Sequence, residues 1–300
     1  MYQFFLFGRF EARWNNTSVT GLESRKVQEL FCYLATYRRR PHAREIIADL
    51  IWEGYPPASS RKNMRQTLWQ LQSALNAAPA DNPVLLVDGD FLHLNPDADV
   101  EIDLAIFEAA IHTVRNVEGH DLTAAQAATL QQAVELYRAD FLEGWYLDWC
   151  LYERERYQNL FLMMLDKLVG YHEAQQQYET AIYYCNRSLR EEYVRECTHR
   201  QLMRLYYLNG DRTAALRQFE RCQTALIEEL NVTPDRLTMQ LYNFICHDDV
   251  SAITFPAMAA KAINADGDEL KDVLDCLADV KAMLEGVQLQ MLHRLDHHAS

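Results

Sequence analysis

No two cysteines in this chain stand in a C-x-x-C pair, and the seven present, at 32, 150, 185, 197, 222, 246 and 276, are scattered and odd in number. That excludes a disulfide scaffold and a spacing-defined zinc site, and it fits reduced, mostly buried thiols in a cytoplasmic protein. Glycine and proline are thin, 10 and 8 in 300 residues, which disfavours a turn-rich β protein and favours long helices. No apolar run approaches the roughly 18 residues of a membrane span. The densest, "LFLMML" at 160–165, is bounded by Asn159 and Asp166. The opening "MYQFFLFGRF" lacks the basic start and small-residue cleavage site of a secretory signal. No Ser/His/Asp grouping, glycine-rich phosphate loop or facing carboxylate pair stands out, so nothing points to an enzyme or to a bound cofactor.

What is present is a large apolar fraction, 49%, and a charge that is unevenly spread. The formal net charge is −14, the wrong sign for a partner of a polyanion. Yet residues 1–80 hold 11 Lys and Arg against 6 Asp and Glu, which leaves 18 against 37 for the remainder. A basic N-terminal module is joined to an acidic body, and the average over both misleads.

Residues 2–20 alternate as strands do, with Phe10, Ala12 and Trp14 on one face, Glu11 and Arg13 on the other, and "NN" at 15–16 as a turn before Thr17–Val19. "SRKVQELFCYLATY" (24–37) places Val27, Leu30, Phe31 and Leu34 at helical spacing, with Ser24 as N-cap. Pro41 breaks the pattern, a short helix follows in "AREIIADLIW" (43–52), and a third occupies 58–76. "VLLVDGDFLHL" (84–94) reads as two strands around an Asp-Gly turn. Strands, three helices and a hairpin in that order make a winged helix-turn-helix over residues 1–98.

The third helix carries the chemistry. At 100° per residue, Met64, Leu68, Leu71 and Leu75 fall within about 60° and form an inward stripe. Lys62, Gln66, Trp69, Gln70 and Ser73 then point outward, with Arg61 and Arg65 on one flank and Asn63 on the other. No acidic residue occurs between Glu53 and Asp81, whereas a merely solvated helix mixes both signs. Glutamine can pair with adenine in the major groove, lysine can reach guanine O6 and N7, and flanking arginines suit phosphates. The nearby run "YRRRPHAR" offers Arg38, Arg39, Arg40 and Arg44 as phosphate contacts, with a solvated loop as the alternative.

From residue 99 to 248 the pattern is nearly unbroken helix, with a repeat at a spacing of 34. Leu168, Tyr171, Ala181, Ile182 and Cys185 recur as Leu202, Leu205, Ala215, Leu216 and Phe219, the period of tetratricopeptide-like helix pairs. Tyrosines and the interspersed Arg187, Arg190, Arg195 and Arg200 could stack on a small-molecule effector or could be core and ion pairs. A linker spans 249–268. An amphipathic helix is expected over 269–298, with Leu270, Val273, Leu277, Val280, Leu284, Val287 and Met291 as a heptad seam. That seam would serve either self-association, as a homodimer, or a cap on the last repeat. In "HRLDHH", His293 and His297 have metal-ligand spacing but lack further ligands, so no metal is assigned.

Several words in order resemble a known family: "LFGRFEARWNN" (6–16), "LIWEGYPPASSRKNMRQTLWQLQSAL" (50–75), "DFLHLNPDADVEIDLAIFE" (90–108), "LYRADFLEGWYLDWCLYERERY" (136–157), "LYYLNGDRTAALRQFERC" (205–222) and "IEELNVTPDRLTMQLYNFI" (227–245). The chain is similar over about residues 2–246 to the bacterial transcriptional activator domain proteins, including the Streptomyces antibiotic regulatory proteins. The resemblance implies a mainly α protein: an OmpR-type winged helix with small sheets, then a tetratricopeptide-like domain. It implies a sequence-specific activator that binds promoter repeats in double-stranded DNA and touches RNA polymerase. The family's recognition helix falls on 58–76, so Arg61, Lys62, Arg65, Gln66 and Gln70 inherit its contacts. Two departures stand out. The wing tip is "DGD" (88–90), which phosphate would repel, and residues beyond 250 lie outside the resemblance. Two alternatives stay open, an effector-sensing regulator and a protein-interaction adaptor whose winged helix no longer binds DNA.

Overall fold

Strict alternation at the start of the chain builds the first sheet. The computed structural model describes residues 1–77 and 82–247. Strand β1 (Tyr2–Phe5) turns Tyr2 and Phe4 into the core and pairs antiparallel with β2 (Glu11–Trp14) in the register Tyr2↔Trp14. Asn15 and Asn16 both take positive φ, 46° and 67°, as a two-residue hairpin turn requires, and β3 (Thr17–Ser18) returns along β2.

Helix α1 (Arg25–Thr36) buries Val27, Leu30, Phe31 and Leu34 completely. Ser24 occupies its N-cap, but through its carbonyl and not its side chain, contrary to the capping expected of a serine. After α1 come β4 (His42–Ala43), α2 (Arg44–Ile51) and α3 (Pro57–Leu75). Strands β5 (Leu85–Asp88) and β6 (Phe91–Leu94) form the expected hairpin, and β4 joins it in the order β4-β6-β5.

The periodicity did not reveal β4 or β7 (Val100–Ile102), because two or three residues are too few to show alternation. Strand β7 lies beyond residue 98 in sequence yet pairs parallel with β1 as the edge of the first sheet. The segments on either side of that position therefore share one core, and residues 1–210 form one compact unit. Its helical part holds α4 (Asp103–Thr113), a 3-10 turn (Gly119–Asp121), α5 (Ala124–Leu136), α6 (Asp148–Ala174), α7 (Tyr178–Glu191) and α8 (Glu196–Leu208). The 3-10 turn crosses α6 where both are glycine. A Cβ on Gly119 would stand 2.6 Å from the Lys167 carbonyl oxygen.

The second unit begins at Asp211 and contains α9 (Arg212–Leu230) and α10 (Arg236–His247). Of the 34-residue repeat, Leu168 and Leu202, Ala181 and Ala215, and Cys185 and Phe219 are buried at both occurrences. The expected linker 249–268, the 269–298 helix with its seam from Leu270 to Met291, and His293 and His297 lie outside the described residues. No described helix is long and apolar enough to cross a membrane.

Two buried carboxylates of α4 fasten the helical part to the winged helix. Asp103 accepts from the Leu6 and Phe7 amides at 2.7 and 2.9 Å, and from Leu104 at 2.7 Å. Glu108, 6% exposed, accepts from Arg38 Nη2 at 2.7 Å, Arg156 Nη2 at 3.0 Å and the Tyr157 hydroxyl at 2.9 Å. Burial alone would push the Glu108 carboxyl up; Arg38, Arg156 and Tyr157 outweigh it and hold the group below its ordinary value. The quoted word around "DFLEGW" adds a third fastening. Gly8 and Leu142 exchange backbone bonds with Asp140 and Leu6 across this seam, and Arg154 gathers the carbonyls of Phe141, Leu142 and Trp145.

Glu108→Ala deprives the Arg38 guanidinium and the Tyr157 hydroxyl of their shared buried acceptor, so it should lower unfolding free energy by about 3 kcal/mol, measured by urea titration. Burial pushes Asp103 up to about 6 from 3.8, against the pull of the Phe7, Leu6 and Leu104 amides. The native state then holds this proton more tightly than the unfolded chain does. Its contribution is full below about pH 4 and is lost as pH rises through 6. The Tm difference between the parent and Asp103→Asn should accordingly shrink between pH 5 and pH 7.5.

Candidate nucleic-acid interface

Helix α3 starts cleanly because Pro56 and Pro57 pre-set the chain there and the first amides need no intrahelical partner. Met64, Leu68, Leu71 and Leu75 are all buried, as the apolar spacing requires, with Ser60, Thr67 and Ala74 beside them. The C-terminal end is held from two directions. The Tyr2 hydroxyl donates to the Leu75 carbonyl, and Gly21, at φ +89°, brings the preceding loop against Ala74. A Cβ on Gly21 would sit 3.0 Å from the Ala74 methyl, so glycine suits this place on both counts.

The opposite face is open. Arg61, Lys62, Arg65, Gln66, Trp69 and Ser73 are exposed, and Asn63 and Gln70 are half-buried at its margin. Trp69 stands out with 68% of its surface in water, a large apolar side chain at the centre of a polar face. The Ser73 hydroxyl donates to the Trp69 carbonyl at 2.8 Å, so it serves its own helix. Arg61 lies 3.6 Å from Glu45 of α2, but both are well exposed, and such a pair holds a side chain only weakly.

The cationic run before α2 divides. Arg38, expected among the phosphate contacts, is instead turned inward. Its side chain is 17% exposed and paired with buried Glu108, a carboxylate 70 residues away that local sequence cannot reveal. Arg39 touches the same carboxylate at 3.5 Å but remains 75% exposed, and Arg40 is exposed. Arg44 is half-buried at the first turn of α2; its amide donates to the Asp90 carbonyl at 2.8 Å.

The wing carries the other sign. From Gln66 to Val114 the chain contains no lysine or arginine, and Asp88 and Asp90 flank Gly89 at an exposed tip. Phe91 and Val87 are exposed beside them. In the helical part, two of the arginines considered for an effector, Arg187 and Arg195, already have partners. Arg187 pairs with Glu135 and the Val134 carbonyl, and Arg195 grips Asp166 through two bonds of 2.6 and 2.7 Å. Residues that sequence reasoning missed are those that position the module: Asp103, Glu108, Arg154 and Arg156. Each is a lone charge in sequence, and none carries a local signal.

Residues 102–246 match the model of the bacterial transcriptional activator domain. Among solved structures, EmbR of Mycobacterium tuberculosis, in complex with a low-affinity phosphopeptide, is similar with a TM-score of 0.60 and 21% identity. The alignment covers 88% of this chain and 71% of that one, and at this identity the likeness is one of fold. No curated protein sequence matches significantly.

The two faces of α3 should respond oppositely to truncation. Leu71→Ala should lower unfolding free energy by about 2–5 kcal/mol, and Gln66→Ala should shift it by no more than about 0.5 kcal/mol. Paired thermal and urea melts would check both.

Proposed function

We propose that this chain, which matches the bacterial transcriptional activator domain over residues 102–246, is a transcriptional regulator that reads duplex DNA through the outward face of α3. The observation that carries this reading is the exposed face of a helix without acidic residues, on which Lys62, Gln66 and Trp69 stand above a buried stripe. Lys62 is suited to guanine O6 and N7, Gln66 and Gln70 to adenine N6 and N7, and Trp69 to apolar contact with a thymine methyl. Arg61 and Arg65 at the flank, with Arg39 and Arg40, supply charge for phosphates and set register without reading bases. The acidic wing gives phosphate nothing to bind, so recognition rests on the helix. In this reading the regulator is an activator working at a promoter with RNA polymerase.

Selection of binding sites from random duplex DNA at low salt tests the proposal. An enriched sequence is expected, with Lys62→Ala and Gln66→Ala each weakening it by about 1–3 kcal/mol. Arg65→Ala should weaken all sequences alike and reduce the salt slope by about one. Replacing Asp88 and Asp90 by lysine should tighten binding irrespective of sequence. Absence of any enriched site would sink the DNA-reading proposal, and enrichment insensitive to Lys62 and Gln66 would move the reading surface elsewhere.

A further inference from the structure

The described part of the second unit is an antiparallel hairpin whose apolar residues at the turn end are exposed. Its stem is well made. Tyr242 of α10 stacks on Phe219 of α9 at 4.0 Å, and Arg212 donates to the Ile245 and Cys246 carbonyls at 2.8 and 2.6 Å. A cation thus sits at the C-terminal end of α10, where the helix dipole favours it. The turn end differs. Asn231 closes α9 in the left-handed conformation, and the Val232 amide returns to the Leu226 carbonyl at 3.2 Å. That turn brings Val232 back beside the last turn of α9, in the manner of helix caps that seal with an apolar contact. Met239 lies one turn from Tyr242 toward the same end. Ile227, Leu230, Val232 and Met239 are nonetheless 39–55% exposed. Four large apolar residues gathered at one end of a terminal helix pair need a cover, because an end repeat has no next repeat to bury it.

We propose that this chain's own segment 270–291 is that cover. Residues 248–269 separate the end of α10 from Leu270. Extended, that stretch spans up to about 70 Å, whereas α10 is only about 18 Å long, so the segment can return to the turn end without constraint. It brings Leu270, Val273, Leu277, Val280, Leu284 and Val287 at steps of three and four, one continuous apolar edge. The tether sets a local concentration on the order of millimolar, far above that of a second copy in dilute solution. Three heptads are too short to hold two chains together firmly without it. The seam therefore caps its own chain and does not join two.

Hydrogen–deuterium exchange on the full chain and on its L277E/L284E variant, with the solution mass of each, tests this. The expected result is a monomeric mass for both, with amides of 226–244 exchanging several-fold faster in the variant and those of 25–75 unchanged. The reciprocal I227E/L230E variant should speed exchange within 270–291. The tail-side substitutions leave α9 and α10 intact, so the outcome is readable even if I227E/L230E unfolds the hairpin. Unchanged exchange at 226–244 in L277E/L284E overturns the proposal. So does a dimeric parent that this variant converts to monomers.

Discussion

Glu108 is a carboxylate removed from water and answered by Arg38, Arg156 and a tyrosine hydroxyl. An ion in that position tolerates little displacement, because losing one partner leaves the rest unpaired in a poor solvent for charge. Its donors come from the end of α1 and from α6, so it holds the winged helix and the helical part of the first unit in one arrangement. Asp103, five residues earlier on the same helix, does the equivalent for the backbone that follows β1. Together they explain why β7, which follows the wing, closes the first sheet, and why the unit does not divide at the end of the winged helix.

That arrangement has an electrostatic consequence. Glu108 takes Arg38 out of the basic surface and lies within reach of Arg39, so the run of three arginines presents fewer free cations than its composition promises. The wing adds two carboxylates at its tip and no cation. What remains for a polyanion is concentrated on α3 and its flank. The interface proposed on α3 is accordingly narrow, and it would depend less on general attraction to phosphate than one with a basic wing.

The helical part shows the same economy with charge. Arg154, Arg187 and Arg195 each answer carbonyls or carboxylates of neighbouring elements, so arginines scattered among tyrosines act as internal ties. In the second unit, Ile227, Leu230, Val232 and Met239 remain in the open around the turn of α9 and α10.

Local chemistry decides what could be read without coordinates. The spacing of Met64, Leu68, Leu71 and Leu75 was enough to orient α3, since a 3.6-residue period fixes which side faces the core; the outward placement of Lys62, Gln66 and Trp69 follows from it. The same holds for α1 and for the Asn15–Asn16 turn. Strands of two or three residues carry too little pattern, so β4 and β7 were invisible. The pairing of Arg38 was hidden for a different reason: a cation's partner can stand 70 positions away. Composition and period by themselves determine the elements, their buried faces and the sign of each region's charge, because these depend on neighbours along the chain. Only the tertiary structure decides which charges stay free, because pairing depends on distance in space.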